Sequence, residues 1–125
     1  MVVRTILVVD DDADVRGLIV RVLRSRGNVV VGQAGSVAEA LASAEALRPD
    51  VALVDIGLPD GDGFSLTRQL RARPWPVRVV IFSSDADKAN VAAAERAGAV
   101  GFLPKDELSS PALQRLIGDE GDEDC

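Results

Sequence analysis

The residues of this chain best suited to chemistry stand at the ends of four apolar runs. Asp10, Asp11 and Asp12 follow Val8-Val9, and Asp55 follows Ala52-Leu53-Val54. Ser83 and Ser84 follow Val80-Ile81-Phe82, and Lys105 follows Phe102-Leu103-Pro104. Brought together, carboxylates, a hydroxyl and an ammonium would suit a divalent cation beside a phosphoryl group. Oxygen-only ligands favour a hard ion, Mg2+ or Mn2+, and a lysine binds phosphoryl oxygens as a compact point charge. The 125 residues contain no histidine. That removes imidazole catalysis, His-containing metal sites and a phosphohistidine carrier within this chain.

A parallel sheet would bring these residues together. If each run is one strand, all four polar ends emerge at its carboxyl edge, where open α/β sheets build their sites. The rest of the pattern agrees. Thr5–Val9 reads as a strand, and Asp12 or Asp14 can cap a helix running to about Arg26, with Val15, Leu18, Ile19, Val22 and Leu23 at helical spacing and Gly27 as its stop. Val29–Val31 is a second strand, and Ser36-Val37-Ala38-Glu39 matches a capping box opening a helix that ends at Arg48-Pro49. Val51–Val54 is apolar throughout, as a central parallel strand should be. Gly57 to Gly63 reads as a loop, followed by helix over Phe64–Arg73, strand over Val77–Phe82 and helix over Lys88–Ala97. Val100–Leu103 is the fifth strand, and Ser110-Pro111 opens a last short helix to about Ile117. The prediction is (βα)5, a parallel sheet covered on both faces, as one domain over residues 1–117 with an acidic, solvated tail over 118–125.

Bulk composition narrows the function. Hydrophobic residues make up 47% and aromatics 3%, so the core must be built from Val, Leu, Ala and Ile. A net charge of −6 argues against nucleic acid as a direct partner. No apolar run reaches the length of a membrane span, and the first residues lack a signal-peptide pattern. The lone Cys125 cannot form an internal disulfide. The expected location is the cytoplasm.

Each candidate also has an ordinary reading. Asp10 and Asp11, taken alone, fit helix capping as well as metal binding; Ser83 fits a turn or cap, and Phe102 fits core packing. Lys105 tilts the balance, because an ammonium reaching the acidic pocket would offset its charge at rest and bind a phosphoryl oxygen on its arrival.

These segments, Ile6-Leu7-Val8-Val9-Asp10-Asp11-Asp12, Pro49 through Gly63, Val79 through Ser84 and Ala97 through Lys105, resemble in order and spacing the response-regulator receiver domain of two-component signalling. The resemblance covers residues 4 to 117. It implies a doubly wound, flavodoxin-like sheet of strand order 2-1-3-4-5, with Asp55 as phosphoacceptor from a histidine kinase or phosphotransfer protein. It further implies Mg2+ on Asp10, Asp11, Asp55 and the backbone carbonyl of Gly57, phosphoryl oxygens on Ser83 and Lys105, and a switch through Ser83 and Phe102 that alters the surface of the fourth helix, fifth strand and last helix. The expected behaviour is that of a stand-alone receiver acting on a separate protein target, a monomer or a weak, phosphorylation-dependent homodimer. An enzyme of its own is not expected.

The chain departs from the family in two places. Asp106 stands where proline usually follows the lysine, proline instead preceding it as Pro104, and Ser83 stands where threonine is commoner. Gly57 and Asp85 occupy variable positions at the mouth of the site. Two rival enzyme or binding readings fit less well. Asp10-x-Asp12 imitates a haloacid-dehalogenase-like phosphatase, but Ala13-Asp14 replaces its usual continuation. A Ca2+ loop on Asp10, Asp12 and Asp14 fails because Val15 takes the glycine position and Arg21 the glutamate position. A receiver-like docking module without phosphorylation is the third alternative.

Overall fold

The structure, a computed structural model, describes residues 4–84 and 87–118. Asp85 and the tail beyond Gly118 lie outside the described residues. Five parallel strands form the sheet: β1 (Thr5–Val9), β2 (Val29–Ala34), β3 (Val51–Asp55), β4 (Arg78–Ser83) and β5 (Gly101–Pro104), in the order β2-β1-β3-β4-β5. The helices are α1 (Ala13–Ser25), α2 (Val37–Leu47), α3 (Gly63–Arg71), α4 (Lys88–Ala97) and α5 (Pro111–Ile117). This is the expected (βα)5 architecture and strand order.

Strand alternation divides the core. Leu7, Val9, Ala52, Val54, Val79 and Ile81 point to the face covered by Ala40 and Ala44 of α2, Leu66 and Leu70 of α3 and Ala94 of α4. Ile6, Val8, Val51, Leu53, Val80 and Phe82 point to the other face, against Ile19 and Leu23 of α1 and Leu113 and Ile117 of α5. Since β1, β3 and β4 are buried on both faces, they need apolar residues at every position, which is why they read as continuous runs.

The caps follow the sequence closely. Asp12, not Asp14, caps α1 by accepting from Asp14 N and Val15 N. Ser36 accepts from Glu39 N as a capping box requires, but the Glu39 carboxylate bonds Gly35 N, one residue earlier than the pattern implies. Gly27 and Gly98 end their helices with φ of 85° and 100°, left-handed values that cost glycine nothing.

Three elements differ from expectation. β2 runs to Ala34, three residues further than its Val-rich start suggests, because Leu7, Val8 and Val9 pair with Gly32, Gln33 and Ala34. Backbone pairing with a central strand outweighs the weak strand preference of Gly and Gln. The segment read as a loop contains a minimal antiparallel ribbon, Gly57–Leu58 against Gly61–Asp62, anchored by the buried Leu58. A single 3-10 turn, Lys105–Glu107, follows β5.

Candidate functional site

Topology places the carboxylates before any side chain is considered. The chain leaves β1 in one direction to form β2 and returns to the other side to form β3, opening a crevice at the carboxyl ends of β1 and β3. Val9 and Val54 are paired across that crevice, so the next residues, Asp10 and Asp55, emerge side by side. Lys105 arrives from beyond β5. Its Nζ lies 2.9 Å from Asp10 Oδ2 and 3.3 Å from Asp55 Oδ2, and 5.1 Å from the centre of the buried Phe82 ring beneath it.

The two inner carboxylates are held in the same manner. Asp10 Oδ1 accepts from Asp12 N at 2.9 Å, and Asp55 Oδ1 accepts from Ile56 N at 2.9 Å. Each therefore has one oxygen on a backbone N–H and the other on the shared ammonium. The Asp10 side chain is 1% exposed and that of Asp55 13%; Asp11 is exposed at the mouth. Burial, and after it the charge of Asp10, pushes the Asp55 carboxyl above its ordinary value of 3.8 despite the opposing pull of Lys105. Burial is also the largest influence on Lys105 and pushes it down. The hydrogen bond to Asp10 and the charges of Asp55 and Asp10 together reverse that and carry the ammonium above 10.5. One lysine thus leaves the pocket with surplus negative charge.

Oxygen atoms of Asp10, Asp11 and Asp55 all lie within 4.8 Å of one another. An all-oxygen set with surplus negative charge, open to solvent on the Asp11 side, fits a hard divalent ion. Gly57 is exposed, two residues beyond Asp55 at the start of the ribbon. Ser83 ends β4 as a buried residue, one position beyond the Phe82 that pairs with Asp55. Phe102 pairs with Ile81 and is half-buried against the α2–α3–α4 face, so its packing role is real. No cis peptide bond occurs among the described residues, and the Lys105–Asp106 bond is trans.

Four supporting residues escaped the sequence reading. Arg16 of α1 donates to the carbonyl of Asp10 at 2.5 Å and is itself tied to Gln33 of β2 at 3.3 Å, which steadies the loop bearing the acidic pair. Asp60 accepts from Val37 N and Ala38 N at 2.7 and 3.0 Å, docking the ribbon onto the start of α2; these bonds hold its carboxyl below 3.8, the Val37 bond most. Gly63 packs directly under the acceptor strand, where a Cβ would stand 2.3 Å from the carbonyl oxygen of Asp55. Thr67, fully buried, returns a hydrogen bond to Gly63 O at 2.7 Å and fixes that first turn.

Residues 6–117 match the response regulator receiver domain family. The chain belongs to the response-regulator receiver family. A receiver fold is also what solved structures return: the signal receiver domain of NarL from Mycobacterium tuberculosis is 36% identical, with a TM-score of 0.83 over 93% of this chain and 98% of that one. Among sequences, the DNA-binding transcriptional activator DevR/DosR of M. tuberculosis is 41% identical over 93% of this chain and 54% of its own length. A protein-glutamate methylesterase/protein-glutamine glutaminase of Anaeromyxobacter dehalogenans is 42% identical over 90% of this chain and 33% of its own. The receiver described here thus spans about half or less of these relatives. The CheX–CheY–BeF3–Mg complex of Borrelia burgdorferi, at 22% identity and a TM-score of 0.83, shares the fold. Among the described residues no helix is long and apolar enough to cross a membrane.

Proposed function

We propose that this receiver takes a phosphoryl group onto Asp55 from a phosphohistidine of a histidine kinase or phosphotransfer protein. The supporting observation is the pocket of three mutually close carboxylates, two of which, Asp10 and Asp55, share one lysine. Asp55 Oδ2 is the attacking atom. As the O–P bond forms, the N–P bond to the partner's imidazole breaks and the imidazole leaves with the electron pair. Asp10, Asp11, Asp55 and the carbonyl of Gly57 would hold Mg2+, with Mn2+ as an alternative, which neutralises charge on the transferring group. Lys105 exchanges its contact with Asp55 Oδ2 for a phosphoryl oxygen, and the Ser83 hydroxyl donates to another. Positioning and charge neutralisation carry the reaction; no other residue need form a covalent bond.

The output follows from the same geometry. Drawing Ser83 toward the phosphoryl group alters the end of β4 on the face where Phe102 is half-buried, and Phe102 repacks to change the α4–β5–α5 surface. That surface would act on a separate protein in the cytoplasm rather than on nucleic acid. Its monomeric resting state would shift at most weakly toward a dimer. On this reading the only turnover of the described domain is self-phosphorylation and self-dephosphorylation.

The test is intact mass after incubation with Mg2+ and a small acyl phosphate. The native chain should gain a single phosphoryl group and Asp55→Asn none. Steady hydrolysis of phosphomonoesters that survives Asp55→Asn and stops with Asp10→Asn would replace this reading by the phosphatase one.

A further inference from the structure

Of the ligands proposed for the cation, the Gly57 carbonyl is the one with no side chain behind it, and the ribbon that carries it is weakly built. Gly57–Leu58 pairs with Gly61–Asp62, two residues a side, and a lone two-stranded ribbon of that size does not hold itself together in water. A Cβ placed on Gly57 would meet nothing within 4 Å, so no wall packs against it. Its carbonyl is therefore located by whatever fastens the ribbon elsewhere. Leu58 is buried in the core. Gly63 N donates to Ile56 O at 2.7 Å, and Asp62 caps α3 by accepting from Ser65 N at 2.8 Å. These last two bonds tie the ribbon only to the chain on either side of it.

Asp60, at the turn of the ribbon, reaches further. Its Oδ1 accepts from Val37 N at 2.7 Å and its Oδ2 from Ala38 N at 3.0 Å, so both carboxylate oxygens lie on the start of α2. The helix suits such a guest, because its first backbone N–H groups have no partner within it and its dipole favours negative charge there. The next donors are met by Ser36: its hydroxyl takes Glu39 N at 3.1 Å and its carbonyl takes Ala40 N at 3.0 Å. Val37 N and Ala38 N are the two that Ser36 leaves over. Gly61 lies against the Val37 side chain, where a Cβ would stand 3.1 Å from Cγ2, so the contact has little slack. The helix is in turn fixed to the sheet by the buried Ala40 and Ala44. The Asp60 carboxylate is not one of the mutually close set of Asp10, Asp11 and Asp55.

We propose that Asp60 is a positioning residue for the cation. By locking the ribbon onto α2, it holds the Gly57 carbonyl where an ion on Asp10, Asp11 and Asp55 can use it, and it touches neither the ion nor the phosphoryl group. Without that lock the ribbon samples other positions, and the apparent affinity falls with the fraction of molecules that keep the carbonyl in place. This role presupposes the cation site proposed above.

The test is calorimetric titration with MgCl2 of the native full chain, Asp60→Ala, Asp60→Asn and Ser36→Ala, with Asp11→Ala as the control for the site itself. An ionic strength of about 0.15 M largely screens exposed charges more than about 8 Å apart. Asp60→Ala should bind Mg2+ about three- to fivefold more weakly, which corresponds to a competent fraction of about one-third to one-fifth. Asp60→Asn removes the same charge but keeps one acceptor oxygen, and should stay within about twofold of the native chain. Ser36→Ala weakens the same helix start by another route. It should lower the urea midpoint, as Asp60→Ala does, yet leave Mg2+ affinity unchanged. Native affinity in Asp60→Ala would overturn the proposal. So would an equal loss in Asp60→Asn, which would assign the effect to charge, or an equal loss in Ser36→Ala, which would assign it to the stability of α2. A native chain that binds no Mg2+, or whose affinity survives Asp11→Ala, would overturn the cation site itself and this role with it.

Discussion

Strand β3 has an aspartate at each end, and the two are used in opposite ways. Asp50, just before the strand, accepts from Thr5 N and Thr5 Oγ1, while its own N–H and carbonyl bond Thr5 and Arg78. Its polar groups are spent on fastening the starts of β1, β3 and β4. Asp55, at the far end, shares one lysine with Asp10 and has Asp11 beside it, so its charge is under-compensated and its carboxyl is pushed up. Charge that is met by the N–H and hydroxyl of a neighbouring strand fastens the fold; charge left in surplus beside a solvent-open edge is available for a cation and a phosphoryl group. Negative charge alone would not have separated the two aspartates.

Stability measurements should break this comparison if it is wrong, because the two ends predict opposite signs. Asp50→Ala leaves the Thr5 N–H and hydroxyl without their acceptor and should cost about 1–3 kcal/mol in urea unfolding, with phosphoryl uptake retained. Asp55→Asn should abolish uptake and, because it removes a desolvated, repelled charge, should stabilise the metal-free chain by about 1 kcal/mol. Destabilisation by Asp55→Asn in the presence of chelator would mean that Asp55 is as structural as Asp50.

Acid sharpens the same contrast by a smaller amount. The folded Asp55 carboxyl titrates above its unfolded value of 3.8. The folded state therefore takes up that proton first, and the cost of the ionised form appears as pH rises through the window just above 3.8. The stability advantage of Asp55→Asn over the native chain should be full near neutral pH and shrink as pH falls through that window. An advantage that is constant with pH would assign it to packing and not to charge.

The sheet and the inner site were largely legible in sequence because both depend on strand ends. Doubly buried strands must be apolar at every position, so the residues that interrupt Val8-Val9, Val54 and Phe82 announce themselves as edge residues. Lys105 was legible for the same reason. Arg16, Asp60 and Gly63 were not, since each acts on a partner chosen by tertiary packing. Asp60 bonds residues 22 and 23 positions away, and Gly63 is required only because its helix starts against the backbone of Asp55. The extension of β2 through Gly32 and Gln33 escaped for a related reason: its pairing comes from β1, and its own residues show little of it.

On the proposed reading the carboxyl edge of β3 is a cation site and the amino edge is not. Isothermal calorimetry of Mg2+ binding tests it directly, and is preferable to fluorescence because Trp75 lies before β4, under Arg48 at 4.4 Å, away from the acidic pocket. The native chain and Asp50→Ala should bind Mg2+ alike, whereas Asp11→Ala and Asp55→Asn should each bind at least about tenfold more weakly, a loss of about 1.4 kcal/mol. Unchanged affinity in Asp11→Ala, or a loss in Asp50→Ala equal to that in Asp55→Asn, would contradict it.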